Sequence, residues 1–222
     1  MNFSIEWDGV YRSNQQLSRW PWSDLVSYIY RYARPSDGFQ RVLELGCGAG
    51  ANIPLFEKLG TDYHGIEGSP SIVQSLHDQF PNIKDRIVVG DFTKTIPFDG
   101  KFDLVVDRGS ITHNVTSAIH RTLGMIFSRL RAGGKFIGID WFSTEHCDAQ
   151  LGDALDAWTR TNIRSGQLAG VGAVHFTDRE HLCELLRGSG FEIERLQHKL
   201  VDTVVPEGNN RFAAWNFVAV KP

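Results

Sequence analysis

The spacing of apolar residues changes along the chain, and each change marks an element. Over 21–33 (PWSDLVSYIYRYA), Leu25, Ile29 and Tyr32 recur at helical spacing and predict a helix. Pro35 to Gly38 break the chain, and strand and helix signals then alternate. Short apolar runs at 41–45, 63–66, 86–89, 102–106 and 135–142 read as strands. Between them, 51–59 predicts a helix with Pro54 in its first turn and Gly60 at its end. A second helix starts at Ser69 as N-cap, with Pro70 at the first position and an apolar stripe of Ile72, Val73, Leu76 and Phe80. A third covers 117–131, with Ile119, Leu123, Ile126, Phe127 and Leu130 facing in, and Gly133 and Gly134 stop it.

Strands that alternate with helices and read as unbroken apolar runs predict an α/β fold. Its parallel sheet is covered on both faces. Right-handed crossovers then bring the strand C-termini to one edge, where ligands bind. The last third differs. Residues 143–175 mix charges and glycines around one expected helix at 153–160, and read as an insertion or lid over that edge. Thr177-Asp-Arg-Glu180 is a capping-box pattern that opens a helix to about residue 186. Strands at 191–201 and 212–220, joined around Pro206 to Asn210, predict a hairpin and an antiparallel edge. The whole chain, 1–222, reads as one domain, with 1–38 as an N-terminal helical cap.

Composition narrows the partners. The 222 residues are 41% apolar and 22% charged, which fits an ordinary folded chain. The formal net charge is −3 and no run of Lys and Arg occurs, so nucleic acid is not the expected partner. No stretch approaches the roughly 20 apolar residues that cross a bilayer, and the N-terminus shows no signal pattern. Three unevenly spaced cysteines, Cys47, Cys147 and Cys183, fit a reducing cytoplasm better than a disulfide framework.

The chemistry centres on VLELGCGAG at 42–50, where a strand runs into Gly46, Gly48 and Gly50 ahead of a helix. Glycines allow positive φ and close ligand approach, and backbone N–H groups there can face a polar group. With Ala51 the loop also satisfies the loose dinucleotide-binding pattern. Glu44 weighs against that reading. A carboxylate two residues before the first glycine does not suit a pyrophosphate, but it suits a cation. Glu67 ends the second strand 21 residues after Gly46, well placed for a ribose diol. Asp91 follows the third strand and suits an adenine amino group, with Phe92 against the ring. Asp107 ends the fourth strand.

With these residues in view, the sequence resembles the class I S-adenosylmethionine (SAM)-dependent methyltransferases. VLELGCGAG at 42–50, YHGIEGS at 63–69, VVGDF at 88–92 and FDLVVDRGS at 102–110 match the family's motifs in order. LRAGGKFIGIDWF at 130–142 resembles its fifth-strand motif, and FTDREHLCELLRGSGFEI at 176–193 the following helix and strand. The resemblance spans about residues 40–142 and 176–220. It implies a three-layer Rossmann-like, doubly wound sheet of seven strands, mostly parallel with the last strand antiparallel. It implies SAM as methyl donor and S-adenosylhomocysteine as product. By position, Glu44, Gly46, Cys47 and Gly48 would hold the methionine end, Glu67 with Gly68 and Ser69 the ribose, and Asp91 with Phe92 the adenine. Asp107 and Arg108 stay open between contact with the SAM ammonium and pairing with each other.

His113 is the candidate general base, against a plainer role as a surface or capping histidine. Trp22, Tyr11 and Trp141 are candidates for the acceptor pocket, and the aromatics Trp7, Tyr11, Trp20 and Trp22 could equally anchor the first helix. His146-Cys147-Asp148 invites a metal reading, but adjacent side chains diverge, and no metal is expected. A metal-dependent catechol type would need Asp-Asn after the fifth strand, where Asp140-Trp141 stands. An adenine-N6 nucleic-acid enzyme would need a Pro-Pro-aromatic stretch where Arg108-Gly-Ser110 stands. Arg160 and Arg164 read as a solvated face. The expected reaction is in-line methyl transfer to O or N of a small-molecule acceptor. The rivals are an NAD(P)-dependent oxidoreductase and a SAM-binding protein without catalysis.

Overall fold

The computed structural model of the protein describes residues 18–34, 40–208 and 210–222. Tyr11 and Trp7 lie outside the described residues. Among the described residues the α-helices are α1 (Ser23–Tyr32), α2 (Ile53–Lys58), α3 (Pro70–Gln79), α4 (Thr116–Arg129) and α5 (Arg179–Gly188). The strands are β1 (Arg41–Leu45), β2 (Asp62–Glu67), β3 (Ile87–Val89), β4 (Phe102–Arg108), β5 (Leu130–Phe142), β6 (Asp153–Ala154), β7 (Thr159–Thr161), β8 (Val174–His175), β9 (Glu192–Val201) and β10 (Phe212–Val220). Seven of them form one sheet in the order β3-β2-β1-β4-β5-β10-β9. Pairings from β3 through β5 are parallel, and β10 is antiparallel to both β5 and β9. The hairpin of β9 and β10 thus makes one edge of the sheet antiparallel, as expected, and β10, the last strand of the chain, is inserted between β5 and the edge strand β9.

The two faces of the sheet carry separate cores, as a parallel sheet with helical crossovers requires. On one face Leu25 and Ile29 of α1, Phe56 of α2 and Leu76 of α3 pack against Val42, Ile137 and Val218. On the other, Ile119, Leu123 and Ile126 of α4 and Leu182 and Leu186 of α5 cover Leu43, Val105 and Phe136. Burying each such side chain contributes about 1.5–3 kcal/mol, enough in sum to fix which face each helix covers. Ser69 caps α3 as its sequence suggests, its hydroxyl accepting from the Ile72 N–H at 3.3 Å. That cap is worth about 1 kcal/mol.

The insertion departs from the expected helix at 153–160. It is a three-stranded antiparallel sheet, β6-β7-β8, over its own small core of Ile163, Leu168, Val174 and Phe176. Gly152 is held at φ +74, and Asp156 turns the chain between β6 and β7 by accepting from the Trp158 and Thr116 N–H groups. These local hydrogen bonds outcompete the helix. The insertion leaves and returns at one neck. There Ser143 bridges Thr177, the Thr177 N–H donates to the Phe142 carbonyl, and the Thr144 N–H donates to the Thr177 carbonyl.

Candidate functional site

The C-terminal ends of the parallel strands open on one cavity of about 310 Å³, at the lower end of the range for small-molecule sites. The glycine loop forms its floor. Gly46, Gly48 and Gly50 take φ of +65, +51 and +79, which only glycine adopts without strain. Packing adds to the requirement: a Cβ on Gly46 would run into the Ser110 side chain, and one on Gly50 would come within 2.5 Å of Leu76.

The loop's N–H groups are spent inside the protein. Those of Gly46 and Cys47 donate to the Ile66 carbonyl, that of Gly50 to the Cys47 carbonyl, and that of Gly48 to Glu67 Oε2 at 2.9 Å. A pyrophosphate needs such donors free, and here four of the five at 46–50 are taken. The expectation that they face a ligand is corrected: the loop supplies shape, and carboxylates supply the polarity.

Three predicted acids do line this cavity: Glu44, Glu67 and Asp91. Glu44, buried in β1, accepts from Tyr63 Oη at 2.6 Å and Asn52 Nδ2 at 2.7 Å. Burial outweighs these bonds and pushes its carboxyl up to about 7. Glu67, also buried, accepts from the Gly48 and Ser69 N–H groups, and burial raises its pKa too. A carboxylate has about four acceptor sites, so Glu67 braces the loop and still has capacity for a hydroxyl pair. Partial burial works against ionised Asp91, but Thr93 and Lys94 more than offset it and hold its carboxyl below the usual range. Phe92, Cys47, Gly48 and Gly68 complete this end.

Three predicted contacts fall elsewhere. Asp107 is fully buried beneath the cavity and does not line it. It accepts from the Ser110 and Ile111 N–H groups, the Ser110 hydroxyl and Trp141 Nε1, so it organises the turn after β4. Ser69 is buried as the α3 cap. Trp141 is a core residue rather than a pocket residue, packed on Phe136 and Phe217. The reason is local. Asp140 sits at φ +55 in a bulge of β5, where Ile139 and Asp140 lie opposite the single residue Asn216, and this breaks strand alternation and turns Trp141 onto the same face as Phe136.

Arg108 does line the cavity, but pairs with Asp140 rather than Asp107. Its Nε and Nη2 lie 3.2 and 3.1 Å from Asp140 Oδ2, and its guanidinium stacks 3.5 Å over Trp22. Trp22 thus takes the wall position expected of it. Its backbone N–H donates to Asn52 Oδ1 at 3.3 Å, which links the N-terminal wall through Asn52 to Glu44. His113 also lines the cavity, with Nδ1 3.0 Å from the Ala173 carbonyl, and burial pushes its pKa down to about 4.

The sequence reading missed Asn52, Phe142, Leu168, Val171 and Phe212 on the wall, and missed His146 as part of it. Only Asn52, polar at a helix start, carried a local signal, and it resembles an ordinary cap. His146, Cys147 and Asp148 do converge, with ligand atoms within 4.8 Å of one another, contrary to the expected divergence. The Asp148 N–H donates to His146 Nδ1, the Cys147 thiol to Asp148 Oδ1, and the Leu168 N–H to Asp148 Oδ2.

The methyltransferase domain family profile matches residues 14–196. The chain belongs to the SAM-dependent methyltransferases. As such it is an enzyme, and the oxidoreductase rival falls with the loop geometry that already disfavoured it. No curated protein sequence matches it. Among solved structures it is similar to a SAM-dependent methyltransferase from Methanosarcina mazei, with TM-score 0.67, 16% identity, and 91% of this chain and 98% of the other covered. The didemethyltoxoflavin N1-methyltransferase of Burkholderia thailandensis, solved with that small molecule and S-adenosylhomocysteine, gives TM-score 0.63, 20% identity, and coverage of 90% and 77%. A glycopeptide N-methyltransferase in complex with SAM gives 0.60, 19% identity, and coverage of 89% and 94%. At these identities the likeness shows the fold. The site fits the methyltransferase cofactor on its own chemistry: buried acids and a donor-poor loop suit a nucleoside that carries a sulfonium and an ammonium group. No described helix is long and apolar enough to cross a membrane.

Proposed function

We propose that this methyltransferase moves the SAM methyl to a nitrogen or oxygen of a small-molecule acceptor by in-line displacement. The observation that carries the reading is the cavity itself. It runs from Asp91 and Glu67 to an end walled by Trp22, Phe142, Leu168 and Phe212, which suits a compact acceptor with apolar faces. Glu44 and the loop at 46–48 take the methionine end, Glu67 and Gly68 the ribose, and Asp91 with Phe92 the adenine. The chain acts as one domain, in which Trp22 on the N-terminal side and the 143–175 insertion help to close the cavity. The N-methylations named for two similar structures, of didemethyltoxoflavin and of a glycopeptide, support a nitrogen acceptor on a compact molecule.

The sulfonium is already activated, so orientation does most of the work, and it can lower a barrier by roughly 7–11 kcal/mol. His113, held near 4, is neutral at pH 7 and a weak base. A phenol near 10 lies about 6 units above it, a gap of roughly 8 kcal/mol at 1.36 kcal/mol per unit. This favours an acceptor that brings its own lone pair, a nitrogen before a hydroxyl, with His113 orienting it. No metal is needed for such a transfer. The test is to incubate the protein with SAM and either the small-molecule or the macromolecular fraction of a cell extract, and to measure S-adenosylhomocysteine. Turnover with the small-molecule fraction is expected. Turnover with the macromolecular fraction alone would reject the reading.

A further inference from the structure

His146 leaves a polar atom unanswered at the acceptor end. The ring borders the cavity, and the residue is 3% exposed. Its Nδ1 accepts from the Asp148 N–H at 3.1 Å. A backbone amide only donates, so the lone pair is on Nδ1. Burial also holds the ring below the usual histidine range, so it is neutral, and its single proton sits on Nε2. That Nε2–H is buried and has no hydrogen-bond partner among the described residues. The rings of Phe142, Phe176 and Phe212 surround it at centroid distances of 5.8, 6.1 and 5.5 Å, and none offers a conventional acceptor.

A strand-to-loop corner in apolar surroundings gains nothing from such a donor. Turning the chain needs only the Nδ1 bond, which an asparagine side chain makes equally well. A metal does not explain the proton-bearing nitrogen, and Nδ1 is already engaged. A buried donor in a residue of the cavity wall, closed off by Phe142 and Phe212 that line the same cavity, is a standing cost that a ligand acceptor atom removes once those rings give way.

We infer that His146 Nε2–H selects the methyl acceptor by donating to a carbonyl oxygen or ring nitrogen on it. This deepens the small-molecule reading and rests on it. The class is a largely apolar, planar molecule whose hydrogen-bond-accepting atom is distinct from the atom methylated. The two must differ, because a lone pair held by His146 cannot attack the methyl. Phe142 and Phe212 both cover the imidazole and line the cavity, so a planar ligand shifts these rings as it seats against the Nε2–H. His146 is thus a specificity-determining residue, and no proton leaves it during transfer.

The test uses full-length protein with ¹⁵N-labelled histidine, saturated with S-adenosylhomocysteine. The probes are 1-indanone and indane, which differ only by a carbonyl. His146→Asn keeps an oxygen for the Asp148 N–H and removes the donor. The His146 ring should show its proton on Nε2, and 1-indanone but not indane should move that signal. The wild type should bind 1-indanone at least fivefold tighter than indane. In His146→Asn the ratio should fall below twofold, with S-adenosylhomocysteine affinity unchanged within twofold. A proton on Nδ1, equal affinities, no signal shift with either probe, or a preference that survives in His146→Asn overturns the inference. Failure of the small-molecule reading shows instead in the extract-fraction assay, which does not depend on His146.

Discussion

The two ends of the cavity are built on different principles. The cofactor end is made by consecutive strand ends within residues 44–92, and its polar groups are acids held by neighbouring loops. The acceptor end gathers Trp22, Phe142, His146, Val171 and Phe212 from segments far apart in the chain, and its walls are aromatic, aliphatic and imidazole apart from the Arg108–Asp140 pair against Trp22. One end stores negative potential under low dielectric and waits for a cation. The other offers shape, and its cation Arg108 is already paired with Asp140. Charge therefore chooses the methyl donor, and fit chooses what receives the methyl. Because most of the rate comes from alignment, the two choices need only meet at the sulfur.

The largest expected effect comes from breaking the first end at Glu67. Glu67→Ala removes the brace on the Gly48 and Ser69 N–H groups as well as the proposed ribose acceptor. Two charge-assisted bonds at roughly 1.5–3 kcal/mol each predict a loss in SAM affinity of at least about 100-fold, measured by calorimetry. Binding of 1-indanone should change little if the ends are separable. SAM affinity within threefold of the parent would refute the assignment.

Glu44 sharpens the comparison through pH. Its folded pKa, near 7, lies above the usual carboxyl value, so the buried acid favours its protonated form. The stability this gives is complete below about 4.5 and is lost as pH rises through about 7. A cationic ligand needs the ionised form, so SAM affinity should run the opposite way. It should rise up to about tenfold per unit below pH 7 and level off above, with a proton released on binding. Glu44→Gln should flatten both profiles. An unchanged pH dependence of SAM affinity in that variant would show that the acid does not face the positive charge.

The same division sets how much could be read from the sequence. The parallel core was legible because each strand and crossover helix announces itself within a few residues, and because Glu44, Glu67 and Asp91 sit at fixed offsets from strand ends. Asp107 misled: an acid at a strand end looks the same in sequence whether it faces the cavity or, as here, accepts from Trp141 and the turn at Ser110. Trp141 misled because alternation fails at the positive φ of Asp140, which no local pattern reveals. The acceptor wall was illegible for a different reason. Phe212 reaches it only because β10 pairs beside β5, and Val171 only because the insertion folds back through its neck. The insertion's small sheet was lost to side-chain hydrogen bonds at Asp156 that compete with helix formation.

The smallest effect is expected at His113, where the acceptor end is most easily mistaken for an acid–base site. A true general base contributes typically 10²–10⁴-fold and shows its own pKa in the rate profile. His113 is neutral well below pH 6, held so by burial, with its Nδ1 on the Ala173 carbonyl. His113→Ala should then lower kcat for the acceptor found in the small-molecule fraction by less than tenfold. It should leave the profile between pH 6 and 8 with only the inflection that Glu44 imposes. A loss of 100-fold, or a wild-type inflection near 4 that vanishes in the variant, would make His113 a proton acceptor in the transfer. The acceptor end would then do chemistry as well as hold its ligand.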